Sequence, residues 1–440
     1  MNGVRIAFVV GLLGTFAFTG NSAEIEPTYA KDVAPILFQQ CAGCHRPDQV
    51  GPFSLLTYED AKKRAKQIAI ATSSKIMPPW KPMPGHGEFR DARVLNDKQI
   101  ATLKLWAEAG APEGDPKDLP PKPTFKDGWQ LGTPDLVLTV PKAFTVPAEG
   151  NDSYMHFVFP LDLKKETYLR GIEVLPSNRR VAHHAVGILD SSGTAKRMNA
   201  KHGGNGYAGN GGPGFLPAGF TPGYVPGATP RFFPTDSAIT LKKGVDFVLQ
   251  MHYHPTGKEE SDTTTVGLYF TDKKPARNVG GLLMGSEDID IPAGKSDYTV
   301  TDSFKLPVDY EFRGIWAHMH LIGKKVRVWA ETPDGKTREM LKIDDWDFNW
   351  QDTYMYDKSF RLPKGTVLKS EFVFDNSSSN PRNPNTPLKR ITLGENSTDE
   401  MAGLWIGGLP VWEWDELSIW GAVIGHYFEI AGKGFNAKKK

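Results

Sequence analysis

From Asp127 onward the chain is written in short apolar runs such as Leu136-Val137-Leu138-Thr139-Val140, broken repeatedly by proline and glycine. The 440 residues include 45 glycines and 34 prolines, a density of turn formers that leaves little room for long helices. Strands joined by turns are what such a pattern can build. About 300 residues of it are too many for one core and suggest two sandwiches of about 150 residues each. The expected fold class is therefore mostly β, with sandwiches over 127–280 and 281–432 and a solvated tail over 433–440. A formal net charge of +1 with 23% charged residues argues against a nucleic-acid or membrane-surface partner.

The first part of the chain has another texture. Residues 1–23 read as a secretory signal, with Arg5 in the positive region, Ile6 to Phe18 as the apolar stretch and Asn21-Ser22-Ala23 before the cut. The mature protein is then expected to be periplasmic or secreted, with no membrane span once the signal is removed. Val33, Ile36 and Leu37 have helical spacing, Thr57 opens a helix predicted over 57–75, and Asn96 caps a third whose Ile100, Leu103 and Trp106 form an apolar stripe ending at Gly110. This small α-helical region, 24–111, is followed by a proline-rich linker over 112–126.

Within the helical region lies Cys41-Ala42-Gly43-Cys44-His45, and the sequence holds no other cysteine. C-x-x-C-H is the signature of covalent haem attachment: two thioether links from the cysteines and the adjacent His45 as an iron ligand. A redox dithiol or half a zinc site would not call for the immediate histidine. The surroundings resemble a small cytochrome c domain. A distal thioether is offered by Met77 in Ile76-Met77-Pro78-Pro79-Trp80, with Met83 and His86 as rivals; the resemblance favours Met77, since such cytochromes place the ligand in a Met-Pro-Pro stretch.

Histidines then recur at ligand spacings. Gly314 to Val326 reads as one strand, in which His318 and His320 project from the same face and make half a metal site. His183 and His184 are neighbours, able to reach one ion only at a strand end or bulge. In Phe247 to His254, clean alternation puts His252 and His254 on one face, and either could complete a three-histidine set with His183 and His184. Met401, at the head of an apolar run, offers a thioether that would make a soft His₂Met set suited to Cu(I). His156, His202 and His426 have no partner at ligand spacing and read as structural or exposed.

Three motifs occur together, Ala-His318-Met-His320-Leu-Ile-Gly-Lys-Lys-Val, Leu-Gln-Met-His252-Tyr and Ser-Thr-Asp-Glu-Met401-Ala-Gly-Leu-Trp. With them residues 130–432 resemble the copper type II, ascorbate-dependent monooxygenases, the family of the peptidylglycine and dopamine β-monooxygenases. The resemblance implies two jelly-roll β-sandwiches facing each other across an open cleft, each with one copper. It assigns His183, His184 and His252 to an electron-transfer copper and His318, His320 and Met401 to the copper that activates O₂, and it leaves His254 outside the ligand set. Where the amidating enzyme grips a peptide carboxylate with arginine, this chain has Trp316, and its substrate-contacting asparagine and tyrosine are Gly403 and Trp405. A small apolar or aromatic substrate is expected instead of a peptide end. The cofactors implied are two copper ions and one haem c, with electrons entering from ascorbate or a redox protein. The rival reading is a periplasmic electron-transfer or copper-binding protein that turns over no organic substrate.

Overall fold

A computed structural model describes residues 26–437 apart from 48, 210 and 211, and no side chains beyond residue 432. The signal reading on 1–23 and the three final lysines lie outside the described residues. The described chain is mostly β, in several antiparallel sheets.

In the first β half, one five-stranded sheet runs in the order Leu136–Thr139, Thr265–Thr271, Thr167–Leu175, Ser237–Leu241 and Arg277–Asn278, the last pair parallel. The other five-stranded sheet runs Tyr207–Ala208, Ser153–Pro160, Asp246–Tyr253, Ala182–Asp190 and Gly219–Tyr224. Alternation along Asp246–Tyr253 sends Phe247, Leu249, Met251 and Tyr253 into the core shared by these sheets, where they meet Ile172, Val174, Val266 and Leu268.

The second half repeats the plan with two four-stranded sheets. One is Gly280–Ser286, Ala402–Pro410, Tyr310–His318 and Tyr354–Leu362; the other is Tyr298–Lys305, Val367–Phe374, Gly323–Glu331 and Thr337–Ile343. Phe312, Ile315, Val328, Leu341, Phe372 and Leu404 fill the space shared by their apolar faces. Both halves are compatible with β-sandwiches. They are bridged by Arg277, which holds Glu311 at 2.9 Å, by Arg313, which donates to Ser237 Oγ at 2.8 Å, and by Phe220 packed edge-on to Trp405.

The N-terminal helices pack Leu37, Leu103 and Trp106 into a separate core. Thr57 and Asn96 cap helices as the sequence predicts, accepting from Asp60 N and Gln99 N. The helix expected over 57–75 is two pieces, Tyr58–Lys63 and Ala65–Ser73. Arg64 leaves helical geometry between them, its guanidinium laid over the Phe53 ring at 4.7 Å. Residues 80–93 lie on the second β half: Phe89 stacks on Tyr356 and bridges it through the backbone, and Met83 N donates to Lys342 O.

A second departure from the sequence reading is the helix Glu416–Ala437, in a stretch read as sandwich and tail. Ile419, His426 and Ile430 are its buried anchors among the described side chains, and His426 Nε2 meets Asp302 Oδ2 at 2.8 Å. No described helix is long and apolar enough to cross a membrane. The hydrogen bond to Asp302 raises His426 above the ordinary 6.5. Burial opposes ionisation of Asp302, but His426 and the Gly285 amide outweigh it and hold the carboxyl below the ordinary 3.8. The raised histidine contributes docking free energy in full below about pH 6.5 and loses it as pH rises through its folded value; the depressed aspartate contributes above its ordinary value and loses it as pH falls further. Protection of the amides along 416–430, taken relative to their intrinsic exchange rates, is therefore expected to be greatest between those limits and to fall as pH rises through the folded value of His426. His426→Gln should flatten the alkaline side of that profile.

Candidate metal centres

His183 and His184 sit at the start of the strand Ala182–Asp190, where the register against Asp246–Tyr253 shifts between Ala182 and His184. This irregularity is what lets two adjacent histidines turn toward one point. His184 lies directly opposite His252. His183 Nδ1 is 3.1 Å from His184 Nδ1, which is 3.3 Å from His252 Nδ1, and one nitrogen from each of the three rings falls within 4.8 Å of the others. Asp152 was not singled out by the sequence, having no motif around it. Its carboxylate meets His252 Nε2 at 3.0 Å and His254 Nδ1 at 2.6 Å. A carboxylate can only accept, so Nε2 of His252 carries the proton and Nδ1 presents a lone pair inward. His254 thus stays outside the convergent set and backs it through Asp152.

The second set departs from the single strand expected over 314–326. The strand ends at His318, a turn follows, and a new strand begins at Gly323. Glu400 explains the turn: its buried carboxylate accepts from His320 N at 2.8 Å and Ile322 N at 2.9 Å. His318 Nε2 and His320 Nε2 face each other at 3.2 Å. Their other ring nitrogens point outward, His318 Nδ1 to Gln351 Oε1 and His320 Nδ1 to Asp399 O at 3.2 Å. Gln351 Nε2 donates to Phe348 O, which fixes its oxygen toward His318. In this set too, acceptors outside leave lone pairs inside. Met401 is half-buried, and its amide donates to the same Glu400 oxygen as the His320 amide, at 3.2 Å. Two residues on, Gly403 pairs with His318. The structure brings Met401 beside the histidine pair through the backbone.

Burial governs the charge of all five rings. It pushes His183 down to about 3 and His318 to about 4, and takes His184 and His320 well below the ordinary value. Burial also lowers His252, against the pull of Asp152. Neutral imidazole is the form that binds a metal. Lone pairs this close repel unless something positive lies between them, and one proton can bridge only one pair. His183 Nε2 is in addition buried without a partner. The donor set fits a cation, and imidazole nitrogen is a donor that suits copper.

The two sets are not separated by the open cleft that the family resemblance implies. The His184 and His318 rings are 5.8 Å apart, and Phe348 fills the space beside them, stacked on His183 at 4.5 Å and edge-on to His320 at 5.9 Å. A cavity of about 620 Å³ opens alongside, lined by Phe144, Asp152, Tyr154, Met155, Glu395 and Asp399 among others. It therefore touches the partner of His252 and the residue that holds His320.

In the helical region, Cys41, Cys44 and His45 share one turn, with the Cys44 and His45 amides donating to Cys41 O. His45 Nδ1 lies 3.2 Å from Phe53 O, so that nitrogen carries the proton and Nε2 is left free to bind. Burial raises both thiols, Cys41 to about 12, which disfavours a reactive dithiol. These residues fit a thioether-linked haem with an axial imidazole. Met77 follows the helix Ala65–Ser73 and is 39% exposed, as is Met83; the Met83 amide is tied to Lys342 O, and His86 Nε2 lies 4.0 Å from Glu339. Among the remaining histidines, His156 is buried, stacked on Tyr207 and bonded to Gln250, while His202 is exposed and bonded to Met198 O.

Asp152→Asn keeps the shape but removes the charge behind His252. It is expected to weaken copper binding at the three-histidine set about 10- to 100-fold. Competitive titration with a chromophoric Cu(I) chelator measures this directly, and unchanged affinity would remove Asp152 from the site.

No family model matches the chain, and no curated protein matches it. Solved structures resemble it only weakly. PNGF-II shares 10% identity over 62% of this chain and 60% of its own, with a TM-score of 0.23. A Sulfolobus Turreted Icosahedral Virus structure shares 8% over 69% and 99%, at 0.24, and the PBSX exported protein XepA 7% over 54% and 86%, at 0.17. At these values the likenesses carry no argument about function.

Proposed function

We propose that this is an exported copper-dependent monooxygenase of the ascorbate-dependent type II kind, built from two jelly-roll sandwiches with a cytochrome c domain fused in front. The observation that carries the reading is the convergence of neutral imidazole nitrogens into two sets, each held from behind by acceptors, with Met401 beside one of them. His183, His184 and His252 would hold an electron-transfer copper; His318, His320 and Met401 would hold the copper at which O₂ reacts. Cys41 and Cys44 would carry the haem, with His45 and Met77 as its axial ligands. When bound, the coppers and the haem supply one-electron chemistry: one oxygen atom enters a C–H bond, the other leaves as water, and an external donor such as ascorbate or a redox protein provides two electrons.

The protein's own part is positional. Asp152, Gln351 and the Asp399 carbonyl hold the rings of His252, His318 and His320 in one tautomer and one orientation, so that their inward nitrogens need no rearrangement. Glu400 fixes the turn that follows His318 and ties the Met401 backbone to it. The cavity beside Asp152 and Asp399 is the place for a small organic substrate. Phe144, Tyr154 and Met155 on its wall suit an apolar or aromatic one, and its carboxylates are engaged within the protein: Asp152 with two histidines, Asp399 with Asn396 and Glu395 with Gly212. Trp316 stands where a peptide carboxylate would be gripped, and it is stacked on His318 with its indole N–H given to Gln351 O.

Protein matured in a cytochrome-c-competent host is expected to contain two coppers and one haem per chain. Met401→Ile should keep fold, haem spectrum and the first copper while abolishing product formation in O₂-uptake assays; full activity in that variant would remove Met401 from the site. Met77→Ala should turn the haem high-spin, and a low-spin spectrum would move the axial role to Met83 or His86. If the reduced protein yields only peroxide with every organic compound offered, the electron-transfer reading replaces the oxygenase.

A further inference from the structure

One loop, residues 344–353, touches all three proposed redox sites. It joins the strands Thr337–Ile343 and Tyr354–Leu362 of the second β half. At one end of its reach, Phe348 stacks on the His183 ring at 4.5 Å, with an interplanar angle of 18°. In the middle, Gln351 holds His318 Nδ1 and accepts from Trp316. At the other end, Trp350 is 7% exposed and lies against Gly227, whose opposite neighbour is Cys44: a side-chain carbon on Gly227 would stand 2.9 Å from the Trp350 ring and 3.2 Å from Cys44 Sγ. Only glycine lets the indole come this close to the haem-attaching sulfur.

Arg93 clamps the approach. Its guanidinium lies 4.8 Å over the Trp350 ring, pairs with Asp352 at 2.9 Å, donates to Gly227 O at 3.2 Å and reaches Cys44 Sγ at 3.9 Å. Lys81 binds the same loop from the N-terminal side through Asp345 at 3.1 Å and Asp347 at 3.6 Å. The Trp350 Nε1 is buried with no partner. A strand-joining turn with no further duty has no use for a buried indole, an arginine clamp and a stacked phenyl ring on three different neighbours.

We propose that this loop is the electron link between the haem-bearing turn and the histidine centre, with Trp350 as the contact on the Cys44 side and Phe348 as the contact on the His183 side. The inference rests on the copper and haem reading above. Each passage oxidises a ferrous haem to ferric and reduces one Cu(II) to Cu(I). One electron moves, no atom or proton need accompany it, and an external one-electron donor such as ascorbate restores the haem. Between the two aromatic contacts the segment Phe348-Asn349-Trp350 supplies a short covalent path, and Arg93 with Lys81 keeps the helical region seated on it.

The test is a transient one and does not read turnover. Protein loaded with haem and Cu(II) is given one reducing equivalent at the haem by a laser-triggered donor, without O₂ or substrate. Haem re-oxidation is followed by its absorbance and Cu(II) loss by EPR. Trp350→Leu is expected to slow haem re-oxidation several-fold with haem content, haem potential and copper content unchanged, and Trp350→Phe is expected to restore most of the rate. Arg93→Gln, which leaves the indole in place but opens the clamp, should also slow it. Unchanged rates in Trp350→Leu and Arg93→Gln would overturn the link while leaving the oxygenase reading intact. A wild-type protein that loads both metals yet keeps its electron on the haem would overturn haem-fed chemistry, and the link with it.

Discussion

The structure depends on taking five imidazoles out of water together. Burial costs an imidazole its positive charge and leaves a lone pair that must face something. Here the outward nitrogen of His252, His318 and His320 is given to an acceptor, and the inward nitrogens are brought to within 3.1 to 3.3 Å of one another. Between His318 and His320, whose outer nitrogens both face acceptors, two lone pairs are opposed in a medium of low polarity, which is unfavourable by itself. The free energy for holding it comes from the two β cores, which keep the rings in place whether or not anything binds between them.

Strand ends are where both halves put these histidines. A regular strand alternates sides and cannot turn His183 and His184 to one point, so the sheet gives up its register there. In the other half the strand stops at His318 and a buried carboxylate organises the turn that follows. Burial raises Glu400 to about 8, against four backbone N–H groups that favour its charged form. Asp152, Gln351 and Glu400 are thus as much part of the arrangement as the rings they support, and the loop carrying Gln351 also carries the aromatic residues that reach toward Cys44.

Some of this was legible in the chain and some was not. Turn-rich alternation announced a mostly β protein, and Phe247, Leu249, Met251 and Tyr253 entered the core as their period of two required. The caps at Thr57 and Asn96 followed from local chemistry alone. The His-His irregularity was readable because adjacent residues on a strand cannot share a side. The strand through His318 and His320 was misread because apolar alternation continues across the turn, and what breaks it is a carboxylate 80 residues away in sequence. Asp152, Phe348, Trp350 and Arg93 sit in stretches without a motif, and their roles exist only once distant segments meet. The C-terminal helix was missed since it leaves its apolar Leu417 and Phe428 exposed at 85% and 59%, which blurs a helical stripe.

The central claim is that the two histidine sets hold two copper ions of different ligation. Copper K-edge absorption on the copper-loaded, ascorbate-reduced protein tests it most directly. The account predicts two coppers per chain with imidazole scattering from both and a sulfur shell corresponding to half of them, lost on replacing Met401. Copper bound by nitrogen and oxygen alone, or a stoichiometry unaffected by removing His183 and His320 together, would contradict it.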